Sequence, residues 1–300
     1  MFSEITSGVF SVNHGTVDGK NGIIIGSRGA VAIDSGLHPE EGRMMAEFIG
    51  AHHHPPEYLI FTHGHSDHIF GSAAFQGAEV FSHLSTPTVI AKQIATWTKR
   101  TGIAAAQLRS SVTHPTVTFV DNMRLNLGDK HLRLFWTPGH SCDSTCVYVE
   151  EDRILFAGDT VVTGIVPALW DGDSREMEHS LRTLALMDID VLVPGHGPLL
   201  RGAATVREWL TWLVDYLVAI RESVSMSLKD GYDPESAVNA ASFQEFAAGR
   251  LPENKHNMIR RHRDTVRNIF EEELQRTQPQ PILSATYARV APLGDHVRFS

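Results

Sequence analysis

The sequence predicts an α/β fold with a helical C-terminal extension, and three observations support that class. Short apolar runs bounded by Gly, Asn and Asp recur from Val9 to Val193. Stretches of helical periodicity separate several of them. Beyond residue 200 the strand signal nearly disappears while helical periodicity continues. The expected organisation is a mixed α/β unit over residues 1–200, a helical extension over 201–277, and a tail over 278–300.

The elements follow in order. Val9–Val12, Gly22–Gly26 and Ala30–Asp34 read as strands, the third ending in Asp34-Ser35-Gly36. Pro39 opens a helix over Glu40–Ile49, a first-turn position that suits proline. The triple histidine His52-His53-His54 is followed by two prolines and reads as an exposed loop. Tyr58–Phe61 is a short buried strand. Gly71–Phe75 reads as the start of a helix closing over the loop between them, and Ala78–Ser82 as a strand. Residues 86–108 look helical, broken at Gly102. Val117–Val120 and Leu132–Trp136 return to strand, the latter running into Thr137-Pro138-Gly139-His140. Cys146–Val149 and Ile154–Ala157 flank a polar turn and form a hairpin. A helix starts at Ser174, taken as its N-cap, and Val191–Val193 is the last strand. Helices are then expected over about 203–227, with Trp209, Trp212, Leu213, Tyr216 and Leu217 on one side, over 234–248 and over 256–275.

Composition narrows the function classes. Three hundred residues with 42% hydrophobic and 20% charged content suit a globular chain. A net charge of -9 argues against a non-specific nucleic-acid binder. Two cysteines, Cys142 and Cys146, are too few for a disulfide framework or a four-thiolate zinc site. Cys142 reads as a small packed residue. No signal peptide and no long apolar span is visible, so a cytoplasmic protein without membrane contact is expected. The expected partner is a small-molecule substrate, with homodimerisation left open.

Histidine is the outlier, at 17 residues. His63, His65, Asp67 and His68 fall within six residues, directly after the Tyr58–Phe61 strand. Imidazole and carboxylate suit a borderline divalent ion. Extended backbone turns His63 and His65 to one side, and Asp67 and His68 follow after a turn. Three more ligand types stand just past other strands, each beside glycine: His140, Asp159 and His196. Seven donors exceed what one tetrahedral ion needs and point to a site for two metals.

On these residues the chain resembles the metallo-β-lactamase superfamily, over about residues 8–200. The His63-x-His65-x-Asp67-His68 motif is followed by His140, Asp159 and His196 in the order and spacing of that family. The resemblance implies a four-layer αββα sandwich with metals at one edge of two packed sheets. It implies one metal on His63, His65 and His140 and another on Asp67, His68 and His196, with Asp159 bridging and Asp34 supporting the ligand loop. Two divalent ions are implied, Zn2+ foremost, with Mn2+ or Fe as alternatives. A metal-bridging hydroxide then attacks a carbonyl carbon, with Asp67 as the catalytic proton acceptor.

Within the superfamily, the zinc β-lactamases carry cysteine or serine where Asp159 stands, and RNase Z relies on a basic arm not found here. The sequence looks most like the glyoxalase II and lactonase branch, which cleaves thioesters and cyclic esters. Lactonases often place a tyrosine between the last two ligands, where this chain has Trp170. Trp170, Arg260 and Arg263 are the candidate substrate-binding residues, the arginines lying in the basic run Lys255–Arg263. The alternatives are a mononuclear iron enzyme like the persulfide dioxygenases, a β-lactamase-like amide hydrolase, and a non-catalytic signalling effector of the same fold.

Overall fold

A computed structural model describes residues 2–15, 17–253 and 257–277; the expected tail over 278–300, with Lys255 and His256, lies outside the described residues. The chain lays down two sheets one after the other. The first begins as an antiparallel meander of β1 (Phe2–Thr6), β2 (Val9–Asn13), β3 (Lys20–Gly26) and β4 (Gly29–Ile33). Helix α1 (Pro39–Ala51) then crosses over to β5 (Tyr58–Ile60), parallel to β4. A turn containing α2 (Ser66–Ile69) leads to β6 (Glu79–His83), and α3 (Thr86–Thr101) with α4 (Ala105–Ser110) leads to β7 (Val117–Phe119), both strands parallel to their predecessors. Gly102, with φ of 73°, ends α3 at the expected break.

The second sheet repeats the plan. β8 (Asn122–Asn126), β9 (His131–Trp136), β10 (Thr145–Val149) and β11 (Ile154–Phe156) are antiparallel. Helix α5 (Ser174–Ala185) crosses to β12 (Val191–Val193), parallel to β11, and β13 (Leu200–Arg201) closes the edge. The chain continues as α6 (Ala203–Lys229), α7 (Pro234–Ala240), α8 (Phe243–Phe246) and α9 (Met258–Thr277).

Strand alternation makes the layers. Successive side chains leave a strand on opposite faces, so Ile24, Ile33, Ile60, Leu134, Val147 and Phe156 meet between the sheets. Their neighbours Ile23, Ala32 and Leu59 face outward and are covered by Met45, Ile49 and Ile90 of α1 and α3. Cys146, Leu155 and Leu192 face the other way, onto Leu181 and Leu184 of α5 and Leu210, Leu213 and Leu217 of α6. The result is the αββα order. Sheets covered on both faces need apolar runs rather than clean alternation, which is why their central strands were readable. Each fully buried Leu or Ile here contributes roughly 1.5–3 kcal/mol.

Several local expectations change. β1 and β8 carry polar, partly exposed sequences, Phe-Ser-Glu-Ile-Thr and Asn-Met-Arg-Leu-Asn, and so gave no apolar run. Val191–Val193 is not the last strand, because β13 pairs with it. The N-cap of α5 is Asp173, whose carboxylate accepts from the backbone of Arg175 and Glu176, while the Ser174 hydroxyl donates to Glu272. Residues 234–248 hold two short helices, not one. Ser72–Phe75 forms a 3-10 turn with Phe75 buried in the outer core, so it does not close over the site.

Candidate metal centre

The strands that feed the site point the same way within their sheets. β4 and β5 are parallel, and β9, β11 and β12 share one direction through the antiparallel β10. Their C-terminal ends therefore open onto one edge, where each delivers a turn: Asp34 after β4, His63 after β5, His140 after β9, Asp159 after β11 and His196 after β12. The backbone N–H of Thr145 donates to the Thr62 carbonyl at 2.8 Å, tying the two sheets together at that edge. Glycine is required at two of the turns. Gly158 has φ of 48°, and a β-carbon at Gly195 would overlap the Asp159 carboxylate.

All seven expected ligands come together. His63, His65 and His140 form one group, Asp67, His68 and His196 a second, and His63, His68 and Asp159 a third, each with donor atoms within 4.8 Å of one another. Asp159 spans the two triads. Its Oδ2 is 3.5 Å from His140 Nε2, and its Oδ1 is 3.5 Å from His68 Nε2 and 3.4 Å from His196 Nε2. Asp67 Oδ2 lies 3.3 Å from His196 Nε2.

Each imidazole is oriented by its other nitrogen. His68 Nδ1 donates to Asp34 Oδ2 at 2.8 Å. Asp34 also accepts from Thr62 N and Thr62 Oγ1, and that hydroxyl is 3.2 Å from His63 Nδ1. His140 Nδ1 donates to the Ala168 carbonyl at 2.8 Å and His196 Nδ1 to the Val17 carbonyl at 3.2 Å. His65 is the exception, turning Nδ1 inward to 2.9 Å from His140 Nε2, with Nε2 facing Asp171 at 3.5 Å. The inward Nε2 atoms of His63 and His68 and the Oδ1 of Asp159 are buried without a hydrogen-bond partner. Such groups are costly unless something satisfies them. A set of imidazoles and carboxylates whose buried lone pairs converge fits divalent metal ions.

The charges split by triad. Burial, with the neighbouring imidazoles, holds His63 well below the usual histidine range. Burial likewise takes His140 down to about 4, against the pull of Asp159. At the second triad burial is outweighed. The carboxylates of Asp34, Asp159 and Asp67 hold His68 well above its ordinary value, and Asp159 and Asp67 raise His196 to about 10. Burial opposes ionisation of Asp67 and Asp159, yet His68 and His196 keep both below the usual carboxylate range. Without metal, protons on His68 and His196 balance these two acids.

A cavity of about 530 Å³ opens over the donors, lined by Asp67, Asp159 and His196 and by an apolar wall of Val162, Ile165 and Val166. Trp170 is on its rim. Of the two candidate arginines, Arg263 pairs with Glu235 and Asn239, and Arg260 is exposed beside Asp264; the arginine of α9 that reaches this cavity is Arg261. At about 100° per residue, Arg260 falls opposite the buried face of Met258, His262, Thr265, Val266, Ile269 and Phe270, whereas Arg261 and Arg263 flank that face on either side. Periodicity thus sets Arg260 farthest from the buried face, where it lines an adjoining cavity with Trp170 and Arg261, and only tertiary packing chooses between the other two.

Asp143 carried no motif signal, yet its buried carboxylate accepts from Gly64 N at 2.8 Å and Ser141 Oγ at 2.5 Å, joining the two ligand turns. Buried His14, whose ring lies 6.0 Å from that of His196, was also unforeseen. Cys142 is exposed rather than packed; Cys146 is the buried thiol. The His52–His54 run ends α1 and joins no metal-holding group among the described residues.

Comparison with known proteins agrees with this geometry. Residues 15–196 match the sequence pattern of the metallo-beta-lactamase superfamily. The human acyl-coenzyme A thioesterase MBLAC2 is 30% identical over 159 residues, covering 47% of this chain and 56% of that protein. A hydroxyacylglutathione hydrolase of Francisella tularensis subsp. novicida is 27% identical over 168 residues, covering 54% and 56%. The match thus spans little more than half the length of these relatives. Among solved structures, a metallo-beta-lactamase family protein from Thermus thermophilus superposes with a TM-score of 0.63 at 20% identity, over 90% of this chain and 95% of that one. The sec-alkylsulfatase Pisa1 from Pseudomonas sp. gives 0.68 at 16%, over 98% and 52%. Among the described residues no helix is long and apolar enough to cross a membrane. By sequence pattern and by fold, the chain belongs to the metallo-beta-lactamase superfamily.

Proposed function

We propose that the chain is a dinuclear metal-dependent hydrolase of a small ester-like substrate, with a thioester as the leading class and lactones and simple esters next. One observation carries the reading: two complete donor triads share Asp159, one carboxylate oxygen toward each. His63, His65 and His140 would hold one ion, Asp67, His68 and His196 the other. Zinc is the preferred ion, since an imidazole-rich set with carboxylates suits it. When bound, such ions supply a nucleophile from water at neutral pH and Lewis acidity for the acyl oxygen.

The chain's own groups do the rest. In the metal-free chain His68 and His196 hold Asp159 and Asp67 ionised, so both offer carboxylate oxygens to the site. Asp67 also lines the cavity, which gives it access to a proton released from water there. Asp34, Thr62 and the Ala168 and Val17 carbonyls fix the imidazole tautomers so that ligand nitrogens face inward. The apolar wall keeps bulk water from the reacting carbonyl. The thioesterase and hydroxyacylglutathione hydrolase names of the relatives support the thioester preference.

The test is a hydrolysis panel of thioesters, lactones, β-lactams and phosphodiesters on metal-quantified protein, with oxygen uptake recorded on a persulfide. Turnover of an ester-like member that is lost in His65→Ala and Asp159→Ala with the fold retained supports the reading. Oxygen consumption without hydrolysis contradicts it.

A further inference from the structure

We propose that His14 is a further metal donor, which with His68 and His196 makes a three-imidazole set for the second ion beside Asp67. This rests on the two-metal reading and goes beyond it, since none of the seven ligands implied by the resemblance comes from the turn between β2 and β3.

Orphaned nitrogens single out this residue. His14 is 6% exposed, and neither its Nδ1 nor its Nε2 has a hydrogen-bond partner. Among the described residues, the other buried imidazole nitrogens in that condition belong to His63, His65 and His68, all members of the metal-holding groups. His262, buried away from the site, shows the ordinary outcome: one nitrogen is bonded to the Tyr216 hydroxyl and the other to the Ala241 carbonyl. Burying a polar group unsatisfied is costly. A neutral imidazole keeps one nitrogen lone pair, and an ion that takes it removes part of that cost.

Ring geometry assigns His14 to the second half of the centre. Its ring centre lies 6.0 Å from that of His196 at 72° and 6.4 Å from that of His68 at 81°. His68 and His196 are themselves 5.8 Å apart at 88°. Three mutually steep rings are also what His63, His65 and His140 form, with centres 4.6, 4.8 and 4.9 Å apart. The charges that act on His14 include those of His68, His196 and Asp67, the whole second triad. The donor groups already within 4.8 Å of one another do not include His14. The second set is the wider of the two, and the bound ion draws it in.

The turn between β2 and β3 is built against a ligand. Lys20 N donates to the Gly195 carbonyl at 2.8 Å and Gly197 N to the Asp18 carbonyl at 3.0 Å, on either side of His196. Val17 and Asp18 take φ of 51° and 55°, a strain that persists only where the surroundings impose it. Glu41 accepts from Gly15 N at 3.1 Å and so pins the residue after His14. A β-carbon at Gly19 would overlap the His14 ring, which therefore packs on bare backbone.

The test is NMR on the full chain with 15N-labelled histidines, loaded with 113Cd2+ until no more binds. Scalar coupling between the cadmium nucleus and a ring nitrogen reports a direct bond, which packing alone does not produce. Coupling at His14, beside that at His68 and His196, is the expected result, the His14 signal being the one missing from His14→Phe. In chelator competition His14→Phe should weaken binding of the second ion by roughly tenfold or more, and the couplings of His63, His65 and His140 should remain. Coupling at His68 and His196 with none at His14 overturns the proposal while the two-metal reading stands. No coupling at His68 or His196 overturns both. The coupling is read on the unaltered chain, and His14→Gln supplies the assignment where the phenylalanine variant does not fold.

Discussion

Asp34 receives the Nδ1 proton of His68 at 2.8 Å from a backbone held at φ of 58°, a conformation that a non-glycine residue rarely adopts. The strained residue is fixed by three hydrogen bonds to its carboxylate, two from Thr62 and one from His68. Because a carboxylate only accepts, His68 must carry its proton on Nδ1, which leaves Nε2 as the inward donor atom of a group able to hold a metal. The strain therefore orients a candidate ligand.

Removing that support should weaken the second triad without touching a ligand. Asp34→Ala is expected to lower metal affinity by roughly 10–100-fold, as loss of a partner behind a ligating histidine does. Competition with a chromophoric chelator measures it. Asp34→Asn, which tolerates the left-handed backbone, should lose less.

Crowding at Asp159 gives a second outcome. A methyl group at position 195 overlaps the Asp159 carboxylate and the Gly158 backbone. Gly195→Ala should therefore displace the shared carboxylate and lower the metal content per chain, read by elemental analysis, although residue 195 is not a ligand. Gly50→Ala, where a β-carbon meets nothing within 4 Å, is the control and should retain wild-type metal content.

Metal uptake should release protons. In the metal-free chain, His68 and His196 sit above the ordinary histidine value, His196 at about 10, so both are protonated at neutral pH. The metal must displace those protons. Apparent affinity should rise as pH increases from about 6.5 toward 10, because competition falls as pH approaches the raised values. Asp67 and Asp159, already ionised, add no dependence there. Calorimetry in buffers of different ionisation enthalpy should show the release at pH 7.5. The same signs apply to metal-free stability: the contribution of His196 is present below its unfolded value and fades as pH rises through about 10, whereas that of the two acids is lost only at strongly acidic pH.

Asp143 joins the His63–His68 turn to the His140 turn, so Asp143→Ala leaves the Gly64 N–H and the Ser141 hydroxyl unsatisfied in a buried place. A cost of about 1–3 kcal/mol for such a loss is expected, visible as a lower thermal midpoint. Metal should leave the His63, His65, His140 triad more readily as well.

The sequence made the metal centre legible because its donors are chemically rare and each follows a strand end with a glycine. The central strands were legible because burial on both faces leaves unbroken apolar runs such as Ile23–Ile25 and Val191–Val193. What escaped depends on tertiary packing. β1 and β8 are partly exposed strands held by pairing rather than by hydrophobicity. Asp143 acts through two backbone turns that only the fold brings together. Arg261 and Arg263 flank the buried face of α9 symmetrically, so no pattern along the helix distinguishes the arginine that meets Trp170 from the one that meets Glu235.

The most direct test of the central reading is metal titration of the apo-protein with elemental quantification and thioester hydrolysis followed on the same samples. Two shared triads require hydrolysis to rise with metal up to two ions per chain and to fall in Asp159→Ala. Full activity at one ion per chain, or activity indifferent to Asp159, would contradict the account.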